Sequence, residues 1–178
     1  MSRSGGMARN VEIKARVGDP AGLRARVASR ATAPPALPRQ TDTFFRVPSG
    51  RLKLRDFGDG AGELIFYERP DRPGPKESWY ARAACVEPAA VSAVLGEALG
   101  VRGVVEKRRE VFLLDRTRIH LDEVRGLGWF MEIEVVLEDG EAAADGERVA
   151  RALLAELEIP AAMLLAPAYI DLLESTGR

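Results

Sequence analysis

Polar and apolar residues alternate one by one along much of this chain, and a side-chain period of two marks strands with one polar and one apolar face. In RNVEIKARV, Asn10, Glu12, Lys14 and Arg16 alternate with Val11, Ile13, Ala15 and Val17. RLKLR sets Arg51, Lys53 and Arg55 against Leu52 and Leu54, and ELIFYERP sets Leu64 and Phe66 against Ile65, Tyr67 and Arg69 before Pro70. After the turn PDRPGPK, Lys76 opens a further strand, ESWYARAACV. VVEKRREVFLL carries Lys107 and Arg109 in phase with Val105 and Val111. The run RIHLDEVRGLGWFMEIEV predicts two neighbouring strands about the Gly126/Gly128 turn. Arg118, His120 and Asp122 share one face of the first, and Glu132 and Glu134 share one face of the second. Ile119, Leu121, Met131, Ile133 and Val135 point the other way.

Four segments read as helices. Pro20–Ala31 follows Asp19, a good N-cap, and carries Leu23 and Val27 four apart. Pro88–Gly100 presents Val91, Val94, Leu95 and Leu99 and ends at a glycine. A third helix runs from about Gly146 to Leu157, and a last one near Ala168–Glu174 carries Ile170, Leu172 and Leu173. Thr32–Arg39, with three prolines, reads as a connecting loop. There is no internal repeat.

Charge changes the picture. Cations line the strands of Lys53, Arg69, Lys76 and Lys107, whereas acids gather on those of Glu12, Asp122 and Glu132. A face turned to water would also alternate, but it usually intersperses both signs, since like charges on adjacent strands are unfavourable. Clustered carboxylates call for a hard divalent cation, and clustered ammonium and guanidinium groups call for a polyanion. A polyphosphate with Mg²⁺ or Mn²⁺ satisfies both.

At this point the chain resembles the CYTH family, named for class IV adenylyl cyclase and thiamine triphosphatase and also called triphosphate tunnel metalloenzymes. The resemblance extends from about Ala8 to Leu173. Asn10-Val-Glu12-Ile-Lys14 resembles the family's ExExK strand, with Asn10 in place of the first glutamate. QTDTFF (Gln40–Phe45) resembles Q-x-D-x-Y-F, with Phe44 where a tyrosine is usual. RLKLR, the Lys107/Arg109 pair and LDEV…LGWFMEIE follow in the family's order. The resemblance implies an α+β fold: a closed antiparallel β-barrel of about eight strands forming a charged tunnel, with helices packed outside. It implies phosphate binding by Lys14, Lys53, Arg55, Arg69, Lys76, Lys107, Arg109 and Arg118, with Glu68 an alternative alignment to Arg69. Glu12, Asp122, Glu132 and Glu134 would hold the metal, with Asn10 a further oxygen donor. Glu12, Lys14, Asp122, Glu132 and Glu134 form the implied catalytic set.

The chain has 178 residues, enough for one domain; residues 1–6 read as a disordered leader, Met7 as an alternative start, and 7–178 as a single tunnel domain. A net charge of −1 and a pI near 6.0 argue against nucleic-acid or membrane binding through overall basicity. The lone Cys85 excludes a disulfide framework and reads as a buried structural residue in a reducing cytoplasm. His120, the only histidine, excludes a His-rich centre and reads as a lining or hydrogen-bonding group. Phe130 reads as packing, and Trp129 as partly exposed near a rim. No apolar run approaches a membrane span, and MSRSGGMARN lacks a signal-peptide core.

By resemblance the leading expectation is conversion of ATP to cyclic AMP and pyrophosphate. A triphosphatase acting on thiamine triphosphate, inorganic triphosphate or a nucleoside triphosphate comes second, and a non-catalytic nucleotide or polyphosphate binder third. The expected partner is a small-molecule triphosphate, and the expected state a monomer or homodimer.

Overall fold

The alternation in the sequence becomes the inside and outside of a closed sheet. The structure, a computed structural model, describes residues 8–177, so the expected leader and the start at Met7 lie outside the described residues. Eight main strands are present: β1 (Ala8–Arg16), β2 (Arg39–Phe45), β3 (Arg51–Asp56), β4 (Ala61–Glu68), β5 (Lys76–Val86), β6 (Val101–Leu114), β7 (Thr117–Val124) and β8 (Gly128–Val136). They are hydrogen-bonded in the order β5-β4-β3-β2-β6-β7-β8-β1, and a β1–β5 pairing closes the antiparallel barrel. Asn10 lies opposite Ser78 and Val136, and Glu12 opposite Lys76 and Glu134. Beyond Glu12, β1 leaves β5 and pairs instead with a two-residue strand, β9 (Leu164–Leu165).

The apolar outer face makes the main core. Val11, Ile13, Ile119, Leu121, Met131, Ile133 and Val135 are buried with Leu23 and Val27 of helix α1 (Pro20–Ala28) and Ala150 and Leu154 of helix α3 (Ala143–Glu156). Full burial of each large side chain contributes roughly 1.5–3 kcal/mol. Helix α3 approaches closely because Gly146 has no side chain; a Cβ there would meet Leu137 and Val11 at 2.8 Å. Helix α1 is capped as expected, with Asp19 Oδ1 accepting from the Gly22 N–H at 2.9 Å, but it ends at Ala28. There the Arg30 and Ala31 amides both turn back to the Val27 carbonyl. The proline-rich connection is pinned to β6 by reciprocal Ala36–Val111 backbone bonds.

A second core closes one end of the barrel. Tyr169 and Ile170 of helix α4 (Tyr169–Ser175) pack with Ala168 against Phe44, Val105, Val124 and Phe130. Gly103 permits this approach, since a Cβ there would lie 2.6 Å from Ile170 Cδ1. Asp171 anchors the helix through Arg51 at 2.9 Å and Arg102 at 2.6 Å. Helix α2 (Pro88–Leu99) lies over β2, β3 and β4. Among the described residues, no helix is long and apolar enough to cross a membrane.

Candidate metal and triphosphate site inside the barrel

The inward-facing polar residues enclose a cavity of about 350 Å³. Exposure falls along its length. The side chains of Arg82 and Arg118 are 48% and 29% exposed, whereas those of Lys14 and Lys107 are 5% and 2% exposed and lie against the Tyr169 ring of the closing helix. The cavity therefore opens at the Arg82 side and ends at α4.

One wall is cationic around a single buried acid. Asp42 on β2 accepts from Lys53 Nζ and Arg55 Nε at 2.8 Å each and from Lys107 Nζ at 3.3 Å. Burial would raise its pKa, but Arg55, Lys107 and Lys53 together hold the carboxyl well below its usual range. The lysines bear the opposite cost. Burial, followed by the neighbouring Arg109, presses Lys107 down to about 7, and burial with Arg55 lowers Lys53. Three cations sharing one carboxylate leave an excess of positive charge, as a polyanion site requires.

The opposite wall gathers acids. Glu132 Oε1 lies 3.2 Å from Lys14 Nζ, and Glu132 Oε2 accepts from Arg109 at 2.7 Å. Glu134 accepts from Arg118 Nε at 3.0 Å. Burial opposes ionisation of both acids; Lys14 and Arg109 hold Glu132 well below the usual range, and His120 and Arg118 lower Glu134. His120 Nδ1 stands 3.6 Å from Glu132 and 3.6 Å from Glu134. One donor atom from each of these three residues falls within a 4.8 Å span.

The other expected metal ligands are placed differently. Glu12 lines the cavity but its Oε1 is 2.8 Å from Arg69 Nε, and burial, with help from Glu132, raises its pKa. Asp122 is fully buried behind the wall, bidentate to Arg109 at 2.7 and 2.6 Å, and accepts the Tyr169 hydroxyl at 2.9 Å. Lys76 is also fully buried outside the cavity lining, donating to the Arg72 carbonyl at 3.3 Å. Arg69 lines the cavity and reaches the Ala166 carbonyl at 3.0 Å. Lys53, Arg55, Lys107 and Arg109 line one common space.

Asn10 Oδ1 and His120 Nδ1 are buried without hydrogen-bond partners, and both residues line the cavity. Unsatisfied buried acceptors cost free energy that a cation would recover. His120, Glu132 and Glu134 fit a divalent ion in donor type and placement, and Asn10 offers a further oxygen to the same cavity.

Asp42 and Tyr169 escaped the reading of candidate residues. Asp42 could have been found as the lone acid facing inward in QTDTFF, between Gln40 and Phe44, whereas nothing local to Tyr169 signals its partner. Cys85 is half-buried, because the end of β5 runs beyond the barrel and leaves Ala83, Ala84 and Val86 exposed. Trp129 is half-buried on the outer face beneath Arg24, so it does not face the cavity.

The CYTH domain profile matches residues 8–169. No curated protein sequence matches significantly. Similar solved structures include the PH1012 protein from Pyrococcus horikoshii OT3, at 22% identity and a TM-score of 0.80, covering 92% of this chain and 98% of that one. A candidate adenylate cyclase from Vibrio parahaemolyticus is 18% identical with a TM-score of 0.71, over 96% of this chain and 99% of that one. The candidate adenylyl cyclase HpAC1 from Hippeastrum, which has a dominant triphosphatase activity, is 17% identical with a TM-score of 0.63, over 95% and 96%. At these identities the structures speak for the fold, and the profile, which spans most of the described residues, speaks for the family. The closed barrel, its inward charge and the profile match agree: this chain belongs to the CYTH domain family.

Proposed function

We propose that this protein is a divalent-metal-dependent enzyme that transfers a phosphoryl group from a triphosphate held inside the barrel. The observation that carries this reading is the convergence of Glu132 and Glu134 with Lys14, Arg109 and Arg118 on one stretch of wall. The same cations that neutralise these acids are donors for phosphate oxygens. A triphosphate would draw Arg109 and Arg118 toward itself, freeing Glu132 and Glu134 to hold Mg²⁺ or Mn²⁺. The bound ion would supply charge neutralisation on the phosphate oxygens. Lys53, Arg55 and Lys107 would fix the chain from the opposite wall, with positioning and electrostatics providing most of the acceleration.

The direction of entry favours hydrolysis. The closed end is lined by Lys14, Lys107 and Arg109, which suits the terminal phosphate and not a base. Water would bond to the terminal phosphorus as its bridging P–O bond breaks, giving phosphate and the diphosphate. Cyclisation of ATP is the second reading, favoured by Phe57, Ile65 and Tyr80 in the cavity wall, which offer apolar surface for a base. There the ribose 3′-oxygen bonds to the α-phosphorus and pyrophosphate leaves. A cytoplasmic setting, where such triphosphates are supplied, belongs to the same proposal.

The test is incubation with ATP, thiamine triphosphate and inorganic triphosphate with Mg²⁺ or Mn²⁺, followed by separation of products. Orthophosphate release supports hydrolysis, and cyclic AMP with pyrophosphate supports cyclisation. Binding without turnover of any of the three leaves the non-catalytic reading.

A further inference from the structure

We propose that His120 is itself a metal ligand, and that its imidazole nitrogen beside the Glu132 and Glu134 oxygens makes the site favour Mn²⁺ over Mg²⁺. This inference rests on the metal-dependent reading above, and it names a donor that an all-carboxylate site would not contain.

The geometry begins with the register. His120 on β7 pairs directly with Glu132 on β8, and Arg118 pairs with Glu134, so the imidazole faces both acids from the neighbouring strand. Its side chain is 5% exposed, and Nδ1 is buried with no hydrogen-bond partner. That nitrogen is 3.6 Å from Glu132 Oε2 and 3.6 Å from Glu134 Oε1. Donor atoms roughly 2.1 Å from a shared ion lie about 3 to 4 Å apart, so the spacing suits common ligands. It is long for a hydrogen bond. In the tautomer that carries its proton on Nε2, the imidazole directs the Nδ1 lone pair between the two carboxylates, an arrangement made favourable by a cation among the three atoms. Asn10 Oδ1 is also buried without a partner and lines the same cavity.

The chemistry of the donor set then discriminates between ions. Mg²⁺ prefers oxygen ligands in near-ideal octahedral geometry, whereas imidazole binds the transition-metal ions more readily. Mn²⁺ accepts both carboxylate and imidazole. A site with one nitrogen among its protein ligands therefore gains more with Mn²⁺ than with Mg²⁺. The competing chemistry is a protonated imidazolium paired with both acids, in which case the nitrogen never meets the ion.

His120 is the only histidine in the sequence, which makes a direct spectroscopic test available. Tag-free protein is prepared with natural histidine and with histidine carrying the heavy nitrogen isotope, loaded with Mn²⁺, and examined by pulsed electron paramagnetic resonance. The proposal expects an imidazole-nitrogen coupling to the ion that changes with the isotope. It also expects His120→Asn to weaken Mn²⁺ binding by about tenfold or more and Mg²⁺ binding by less, measured by calorimetry with the metal alone. Mn²⁺ bound stoichiometrically without nitrogen coupling overturns the histidine assignment while leaving the metal-dependent reading intact. Failure of the wild-type protein to bind either ion, with or without inorganic triphosphate, overturns both. Because the spectroscopy uses the wild-type chain, a His120→Asn variant that does not fold leaves the test decisive.

Discussion

The Tyr169 hydroxyl donates to Asp122 across 2.9 Å, linking the helix that closes the barrel to the carboxylate that fixes Arg109. Arg109 in turn reaches Glu132, so a helix near the end of the described chain is two hydrogen-bonded residues away from the candidate metal site. Burial and the Asp122 charge push the Tyr169 hydroxyl well above its usual pKa, so it remains a donor throughout the neutral range. Tyr169→Phe keeps the ring but removes the bond. Hydrogen bonds to charged groups contribute about 1.5–3 kcal/mol, and a loss of that size in urea unfolding is the expected outcome. Unchanged stability would mean that Asp122 is satisfied by Arg109 alone.

Asp42 binds three cations at once, Lys53 and Arg55 at 2.8 Å and Lys107 at 3.3 Å. Asp42→Asn would leave buried cations without their counter-charge, a change that typically costs about 3–5 kcal/mol. Inorganic triphosphate can supply the missing negative charge. Melting curves should therefore show a lower Tm for the variant and a larger rise on adding triphosphate than in the wild type. An equal rise in both proteins would place the phosphates elsewhere.

Much of this arrangement is legible in the sequence because a strand's two-residue period separates its faces without knowledge of the partners. That Glu12, Lys53, Lys107 and Glu132 lie on the polar faces of their strands follows from local pattern alone, whereas the inward direction of those faces comes from the family resemblance. Pairing does not follow from local pattern. The sequence suggests a crowd of cations requiring an external anion, whereas Asp42 and Asp122 already compensate part of that charge across neighbouring strands. Asp122 illustrates the difference: its face is legible, but its bidentate Arg109 and its bond to Tyr169, 47 residues away, are tertiary facts. The placement of α4 depends on Asp171 meeting Arg51 and Arg102 from distant strands, and no periodicity encodes that contact.

Lys107 gives a pH prediction whose sign follows from its depressed pKa. Its value falls from the ordinary 10.5 to about 7 on folding. Between these values the unfolded chain binds the extra proton, so this group's contribution makes the protein more stable as pH rises through that window and levels off below it. The Lys107→Met variant should show a weaker rise in unfolding free energy from neutral to alkaline pH. A triphosphate drawn to the same ammonium should restore its proton, so binding near pH 8 should take up protons. Calorimetry in buffers of different ionisation enthalpy measures that uptake; none at all would separate Lys107 from the bound phosphate.

Asn10 tests the departure in β1. It lines the cavity on the same strand face as Glu12. Asn10→Glu adds a carboxylate to an acidic wall, which should tighten Mg²⁺ or Mn²⁺ binding. The same charge should lower the Tm in the presence of chelator through repulsion. Melting curves with metal and with chelator separate these opposed effects, and a substitution that moves neither curve would place residue 10 outside the metal's reach.

The most direct test of metal-dependent phosphoryl transfer is product release across a Mn²⁺ and Mg²⁺ titration, comparing wild type with Glu132→Gln and Glu134→Gln under identical triphosphate concentrations. The wild type should turn over only with a divalent ion, and each variant should retain its fold by circular dichroism while losing at least about tenfold in activity or metal affinity. Turnover by the wild type in excess chelator, or metal titrations in both variants that superimpose on the wild type, would contradict the account.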